Sequence, residues 1–218
     1  MNGNIVKNKL VSALITNTIP IIGVLFWEWS ALMVLLLYWL ETAVIGLFNV
    51  FKMWRATGNY STDKNNKLIP GLIRPITKPE HLILPAFFVV HYSMFLFGHL
   101  AFLNFLGIFI GQPIYFGYGI LLTLIPFLYT QTLEYRNGYL ANKTYGKVPI
   151  AKLMFLPYRR IFVMHATIIV GAAPIMFAAN FFPPITVLLV LLKIFIDFKS
   201  QAGEDKLLAD LENQAIAK

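Results

Sequence analysis

The sequence contains no cysteine and few charged residues for its length. Without cysteine, the 218-residue chain can form neither disulfide bonds nor thiolate metal sites. Only 13% of its residues are charged, about half of the roughly 25% that is typical of a soluble domain, and 58% are hydrophobic. We also find no internal repeat and no low-complexity stretch. These features disfavour an ordinary soluble domain and indicate an integral membrane protein.

Motifs of several enzyme classes are also absent from the sequence. There is no His-Glu-x-x-His or His-x-x-Glu-His pair, as zinc hydrolases have, and no serine or cysteine nucleophile motif. There is no Cys-x-x-Cys-His for covalent haem attachment. Hydrolase and covalent-haem functions are therefore disfavoured.

Several apolar runs reach the ~20 residues that a helix needs to cross a bilayer core of ~30 Å. We predict spans near 10–27, 30–53, 82–107, 114–133, 161–180 and 183–199. Because no small-residue cleavage site follows the first run, we expect it to be retained as a span. The predicted fold is an all-α, polytopic transmembrane bundle over residues 1–199, followed by a polar tail over 200–218.

Lysine and arginine are concentrated in the two long connections, roughly 54–81 and 134–160, and near both ends of the chain. The three short connections contain neither, so the positive-inside rule places both termini and both long loops in the cytoplasm. Anionic lipid headgroups beside this face account for the net charge of +8 without nucleic acid. We expect a multi-pass cell-membrane protein whose first partner is the lipid bilayer. A second copy of the chain or another membrane protein is a further candidate partner.

Three predicted spans bring an ionisable residue to about the same depth. Glu41 lies ~16 Å from the start of its span, His91 ~14 Å and Lys193 ~15 Å. An ionisable residue inside a span is costly to insert, by ~2.5–3.5 kcal/mol for Asp, Lys or Arg, and therefore suggests a functional site. We expect Glu41 and Lys193 to be the partners of His91.

Two further histidines, His165 and His99, lie in the predicted spans. We expect His165 to pair with Asp197, which follows Lys193 by one helical turn and lies in the inner half of the bundle. His99 follows His91 by eight residues and therefore lies ~12 Å further out on the same helix. Bonds from a metal to imidazole are only ~2.0–2.1 Å, so His91 and His99 should not share one ion.

Four blocks carry a resemblance to a known family: "YWLETAVIGLFNVFKM", "FFVVHYSMFLFGH", "RRIFVMHATIIVGAA" and "LLKIFID". Together they resemble a family of prokaryotic, notably archaeal, integral membrane proteins known only as a domain of unknown function. The positions that match its polar signature are Glu41, His91, His99, Arg160, His165, Lys193 and Asp197. The resemblance supports this choice of ion- or ligand-binding residues and implies no activity.

Three classes of function remain open from the sequence. The first is the binding or passage of an ion, a proton or a small solute, with Glu41 and His91 as gating or relay groups. The second is a membrane-embedded protein with a transition metal or haem, such as an oxidoreductase, in which Glu41, His91 and His165, with His99, supply the ligands. The third is a non-catalytic scaffold or subunit. Lys193 could also carry a retinal, but nothing else supports that.

Overall fold

The computed structural model describes residues 18–62, 68–112, 114 and 117–177, and these are mostly helical, which confirms the all-α class. Residues 18–26 form the described part of α1. The elements that follow are α2 (Ala31–Arg55), β1 (Gly58–Thr62), β2 (Leu68–Pro75), α3 (Lys78–Phe109), α4 (Tyr118–Leu133), a π-helical segment (Glu134–Leu140), a 3-10 turn (Thr144–Gly146), α5 (Ile150–Phe155) and α6 (Tyr158–Phe177).

Helix α2 is the centre of the described structure. It begins where the Ser30 hydroxyl accepts a hydrogen bond from the Met33 amide at 3.2 Å, and it contacts α3, α4, α5 and α6. Because neighbours surround it, its buried side chains include Leu35, Leu36 and Leu37 in unbroken succession. Leu35 joins Leu103 of α3 and Met164 of α6 in one apolar cluster.

Within the described residues, α2 and α3 are the two helices that are long and apolar enough to cross a membrane. Their 25 and 32 residues correspond to ~38 and ~48 Å, against a bilayer core of ~30 Å. The predicted spans near 114–133 and 161–180 coincide with α4 and α6, of 16 and 20 residues. The span near 183–199 and the tail over 200–218 lie outside the described residues, as does most of the span near 10–27.

The first long connection contains an antiparallel hairpin, β1–β2, in addition to the predicted helices. Glu80 ties this hairpin to the start of α3. Its carboxylate accepts hydrogen bonds from Arg74 Nη1 at 2.9 Å, Asn59 Nδ2 at 3.0 Å and the Thr77 amide at 3.0 Å. The Thr77 hydroxyl in turn caps the Glu80 amide, which completes a capping box. The Arg74 hydrogen bond is the main reason that the pKa of Glu80 is lowered to about 2.

The two long connections meet at one end of the bundle, which we call the basic end. The Thr57 amide donates to the Tyr145 carbonyl at 3.0 Å, and the Tyr139 hydroxyl donates to the Lys52 carbonyl at 2.6 Å. Burial raises the pKa of Tyr139. The two short connections that the structure describes, before α2 and before α4, lie at the other end, where Trp29 packs against Gly119. This arrangement matches the predicted grouping of the loops.

Candidate functional site

His99 on α3 and His165 on α6 are in direct contact. His99 Nε2 lies 2.9 Å from His165 Nδ1, and the rings are nearly perpendicular, at 86°. The other ring nitrogen of His99, Nδ1, lies 2.6 Å from the Phe95 carbonyl oxygen, one turn earlier on α3. His99 is only 7% exposed, whereas His165 is exposed on the outer side of the pair. The structure therefore places two imidazoles in one hydrogen-bonded chain.

Glu41 on α2 forms an ion pair with Arg160 on α6. Arg160 Nη2 lies 3.4 Å from Glu41 Oε2, and the two side chains are 11% and 2% exposed. The Arg160 guanidinium also lies over the Tyr38 ring, 5.7 Å from its centroid. Two opposite charges thus neutralise each other in the interior, where an unpaired charge would be costly.

His91 has a different partner from either histidine of the first pair. Its Nδ1 lies 2.7 Å from the hydroxyl of Tyr158, the first residue of α6. The His91 ring stacks on Phe87 at 5.2 Å and meets the edge of Phe95 at 5.1 Å. The imidazole is therefore held by one polar and two aromatic neighbours.

Two hydrogen bonds fix the level of Glu41 relative to the histidines. Trp39 Nε1 donates to the Leu96 carbonyl at 2.8 Å, and the Tyr92 hydroxyl donates to the Thr42 carbonyl at 2.9 Å. Residues 39–42 of α2 thus lie beside 92–96 of α3, so that Glu41 lies between the levels of His91 and His99. We call the six side chains of the three contacts the polar layer: Glu41, His91, His99, Tyr158, Arg160 and His165. It extends over ~12 Å along the helices.

A groove of about 380 Å³ opens beside the part of the polar layer that contains His99 and His165. His99 and His165 are its ionisable lining residues. The rest of the described lining consists of Met94, Phe95, Gly98, Phe102, Ile168 and Ile169. The size of the groove falls in the usual range for small-molecule pockets, ~300–1,000 Å³, and its described wall is apolar apart from the imidazoles.

The model of a family of unknown function, DUF6498, matches residues 2–215. The chain belongs to this family. The match confirms the resemblance drawn from the four sequence blocks and extends over nearly the whole chain. No curated protein and no solved structure matches this DUF6498 member. The comparisons therefore carry no activity over to it, and a function has to be argued from the site itself.

Among the described residues of this DUF6498 chain, some contacts differ from those that helix depth predicts. Glu41, the expected partner of His91, pairs with Arg160, and His91 bonds to Tyr158. His165 contacts His99, a contact that helix depth did not predict. Lys193 and Asp197, with their predicted contacts, lie outside the described residues.

The differences have a structural cause. Residues 134–157 pack against α2 and α3, and α6 therefore begins beside His91, thirteen residues after the start of α3. Depths counted from the two loops are consequently offset by ~20 Å. Nothing in the sequence indicated Tyr158, because its hydroxyl reaches His91 only through the packing of α6 beside α3.

The metal hypothesis receives no support from this geometry. In the part of the chain that the structure describes, no three His, Cys, Asp or Glu side chains are grouped as metal ligands are. Glu41, His91 and His165, the suggested ligand set, each contact a different partner. His99 and His165 bring two nitrogens together, but the described residues of the adjoining groove wall are otherwise apolar.

Proposed function

We propose that this protein is a multi-pass integral membrane protein that binds and passes a proton, an ion or a small solute through its polar layer. The observation that carries the proposal is the 2.9 Å contact between His99 and His165 on two largely apolar helices. Imidazole changes its protonation state near neutral pH, so a linked pair inside a bilayer is suited to taking up and releasing a proton.

The outward surface of α3 supports a lipid environment. Leu82, Val90 and Phe97 are 73%, 70% and 68% exposed, at positions that run along the helix. A soluble protein rarely exposes a continuous apolar surface of this kind, whereas a bilayer favours it. A buried core helix would also pass a test of length and hydropathy, but it would not expose these side chains.

We place the basic end in the cytoplasm, with six spans and both termini on that side. The described contacts support this orientation because they gather the two lysine- and arginine-rich connections at one end. Anionic headgroups of the cytoplasmic leaflet would then lie beside these cations.

The polar layer exceeds what helix packing requires. Interhelical hydrogen bonds in membrane proteins contribute ~0.6–1.7 kcal/mol each, which neutral side chains supply at lower insertion cost. Here the contacts use a carboxylate, a guanidinium and three imidazoles, all within ~12 Å. Protonation states that can change are useful for a transported or bound ion, and a purely structural contact does not need them.

The test is a flux measurement in proteoliposomes. With a pH or cation gradient imposed, the native protein should give a flux that Glu41→Gln and His165→Asn each reduce to the level of empty vesicles. His81→Asn is the matched control, because His81 bonds the Trp54 carbonyl at the basic end, away from the polar layer. That variant should keep the native flux.

Two results would contradict the proposal. One is a native flux that the polar-layer variants leave unchanged. The other is no flux of protons, cations or small solutes in a preparation that retains a stoichiometric metal in elemental analysis, which would favour the metal-protein hypothesis instead.

A further inference from the structure

The hydrogen positions of the His99–His165 pair follow from one fixed acceptor. The Phe95 carbonyl oxygen, 2.6 Å from His99 Nδ1, can only accept a hydrogen bond. His99 Nδ1 must therefore carry a hydrogen. In a neutral imidazole only one nitrogen does so, which leaves His99 Nε2 as a bare acceptor.

The tautomer of His165 follows from that of His99. His99 Nε2 lies 2.9 Å from His165 Nδ1, and a bare Nε2 requires a donor at that distance. His165 Nδ1 must therefore carry the hydrogen of the neutral ring, and His165 Nε2 is bare. The backbone carbonyl of Phe95 thus sets the tautomers of both histidines.

The bare nitrogen belongs to the exposed ring of the pair. Both histidines line the groove, but His165 is exposed there whereas His99 is 7% exposed. Among the described residues the rest of the groove lining is apolar, so none of those side chains competes for the proton. The other titratable or charged groups of the described α2, α3 and α6 segments at these levels are Tyr38, Glu41, His91, Tyr92, Tyr158 and Arg160.

We infer that His165 Nε2 is the proton-accepting atom of the polar layer and that it takes its proton, from hydronium, on the groove side. When a proton binds there, the hydrogen on His165 Nδ1 can shift to His99 Nε2. The pair then holds one added proton and one positive charge, with His99 still donating to Phe95. The carbonyl cannot relay the proton further, so the pair is loaded with a single proton.

This inference deepens the proposed function. It rests on that function only for the role of the bound proton. The tautomers can be measured whether or not the protein conducts. The chain has four histidines. The double variant His81→Asn/His91→Asn therefore leaves the pair alone for ¹⁵N NMR of histidine-labelled protein in bilayers.

At a pH where both rings are neutral, each should show a protonated Nδ1 and a bare Nε2, with a coupling across the hydrogen bond between the rings. Acidification should protonate His165 Nε2 first and add one proton to the pair before any second. In a further His165→Asn variant, His99 should keep its protonated Nδ1 while its Nε2 signal shifts. A native-sequence sample checks that the double variant is folded.

A bare Nδ1 on neutral His99, a protonated Nε2 on neutral His165, or uptake of two protons in one step would overturn the inference. So would zinc, added alone, that stays bound to the pair at one ion per chain after dialysis. If the tautomers are as inferred and His165→Asn leaves the flux unchanged, the inference stands and the proposed function fails.

Discussion

The Glu41–Arg160 ion pair allows the sharpest test of the interior, through the substitution Glu41→Gln. The change keeps the size of the side chain and removes its charge. It removes the Glu41 carboxylate from the Arg160 guanidinium, whose side chain is 11% exposed. A guanidinium cannot release a proton to become neutral, so the charge persists.

The magnitude follows from this burial. Removing one member of a buried ion pair typically costs ~3–5 kcal/mol, and an arginine in the centre of a span costs ~2.5–3.5 kcal/mol on insertion scales. The Tyr38 ring, 5.7 Å from the guanidinium carbon, remains to offset part of this cost. We expect Glu41→Gln to lower the free energy of unfolding by about 3 kcal/mol.

The reverse substitution, Arg160→Met, should cost less. It leaves a buried carboxylate, which can take up a proton and become neutral. The loss of stability in the double variant Glu41→Gln/Arg160→Met should be smaller than the sum of the two single losses by ~1–3 kcal/mol, because it removes both charges of the pair together.

Unfolding by denaturant in mixed micelles, for the four proteins of the cycle, measures these differences. Glu28→Gln is the matched control, because Glu28 is exposed and the same change there should stay within ~0.5 kcal/mol. Losses that add to within ~0.5 kcal/mol in the double variant would refute the reasoning, since they would mean that the two charges do not stabilise each other.

Two further predictions concern the basic end. A single cysteine at Gly146 should react only with a cytoplasmic maleimide and one at Gln112 only with an external one; labelling of both from the same side would disprove the orientation, and the chain has no native cysteine to interfere. Because the Arg74 hydrogen bond lowers the pKa of Glu80 from about 4.5 to about 2, its contribution to stability should be full above pH ~4.5 and disappear as the pH falls towards 2. Stability curves of the native protein and Glu80→Gln should therefore converge across that window, and parallel curves would exclude the effect.

Much of the fold could be predicted from the sequence because the lengths of the apolar runs and the positions of lysine and arginine can be read directly along the chain. The runs that end near Arg55 and begin near Lys78 correspond to helices in the structure. The β1–β2 hairpin could not be predicted, since it depends on Glu80 of α3 holding Asn59 and Arg74. That contact is tertiary and leaves little trace in the local pattern.

The site residues were easier to predict than their partners. Rarity alone marks Glu41, His91 and His165 in apolar runs. Their pairing depends on where each helix starts relative to its neighbours, and residues 134–157 shift α6 in a way that span boundaries do not show. The Tyr158 hydroxyl and the Phe95 carbonyl, which hold His91 and His99, depend on this packing as well.

Under the proposed function, the burial of each polar-layer residue determines which of them an ion would reach first. On α4, the hydroxyls of Thr123 and Thr130 donate hydrogen bonds to carbonyls one turn earlier in the same helix, at 3.1 and 2.8 Å. Glu41 is covered by the core around α2, whereas His165 is exposed at the groove between α3 and α6. If the protein exchanges protons through the groove as proposed, the histidine pair would be loaded first and the buried Glu41 afterwards. The flux of a Glu41→Gln variant and the tautomers of the pair consequently report on different steps.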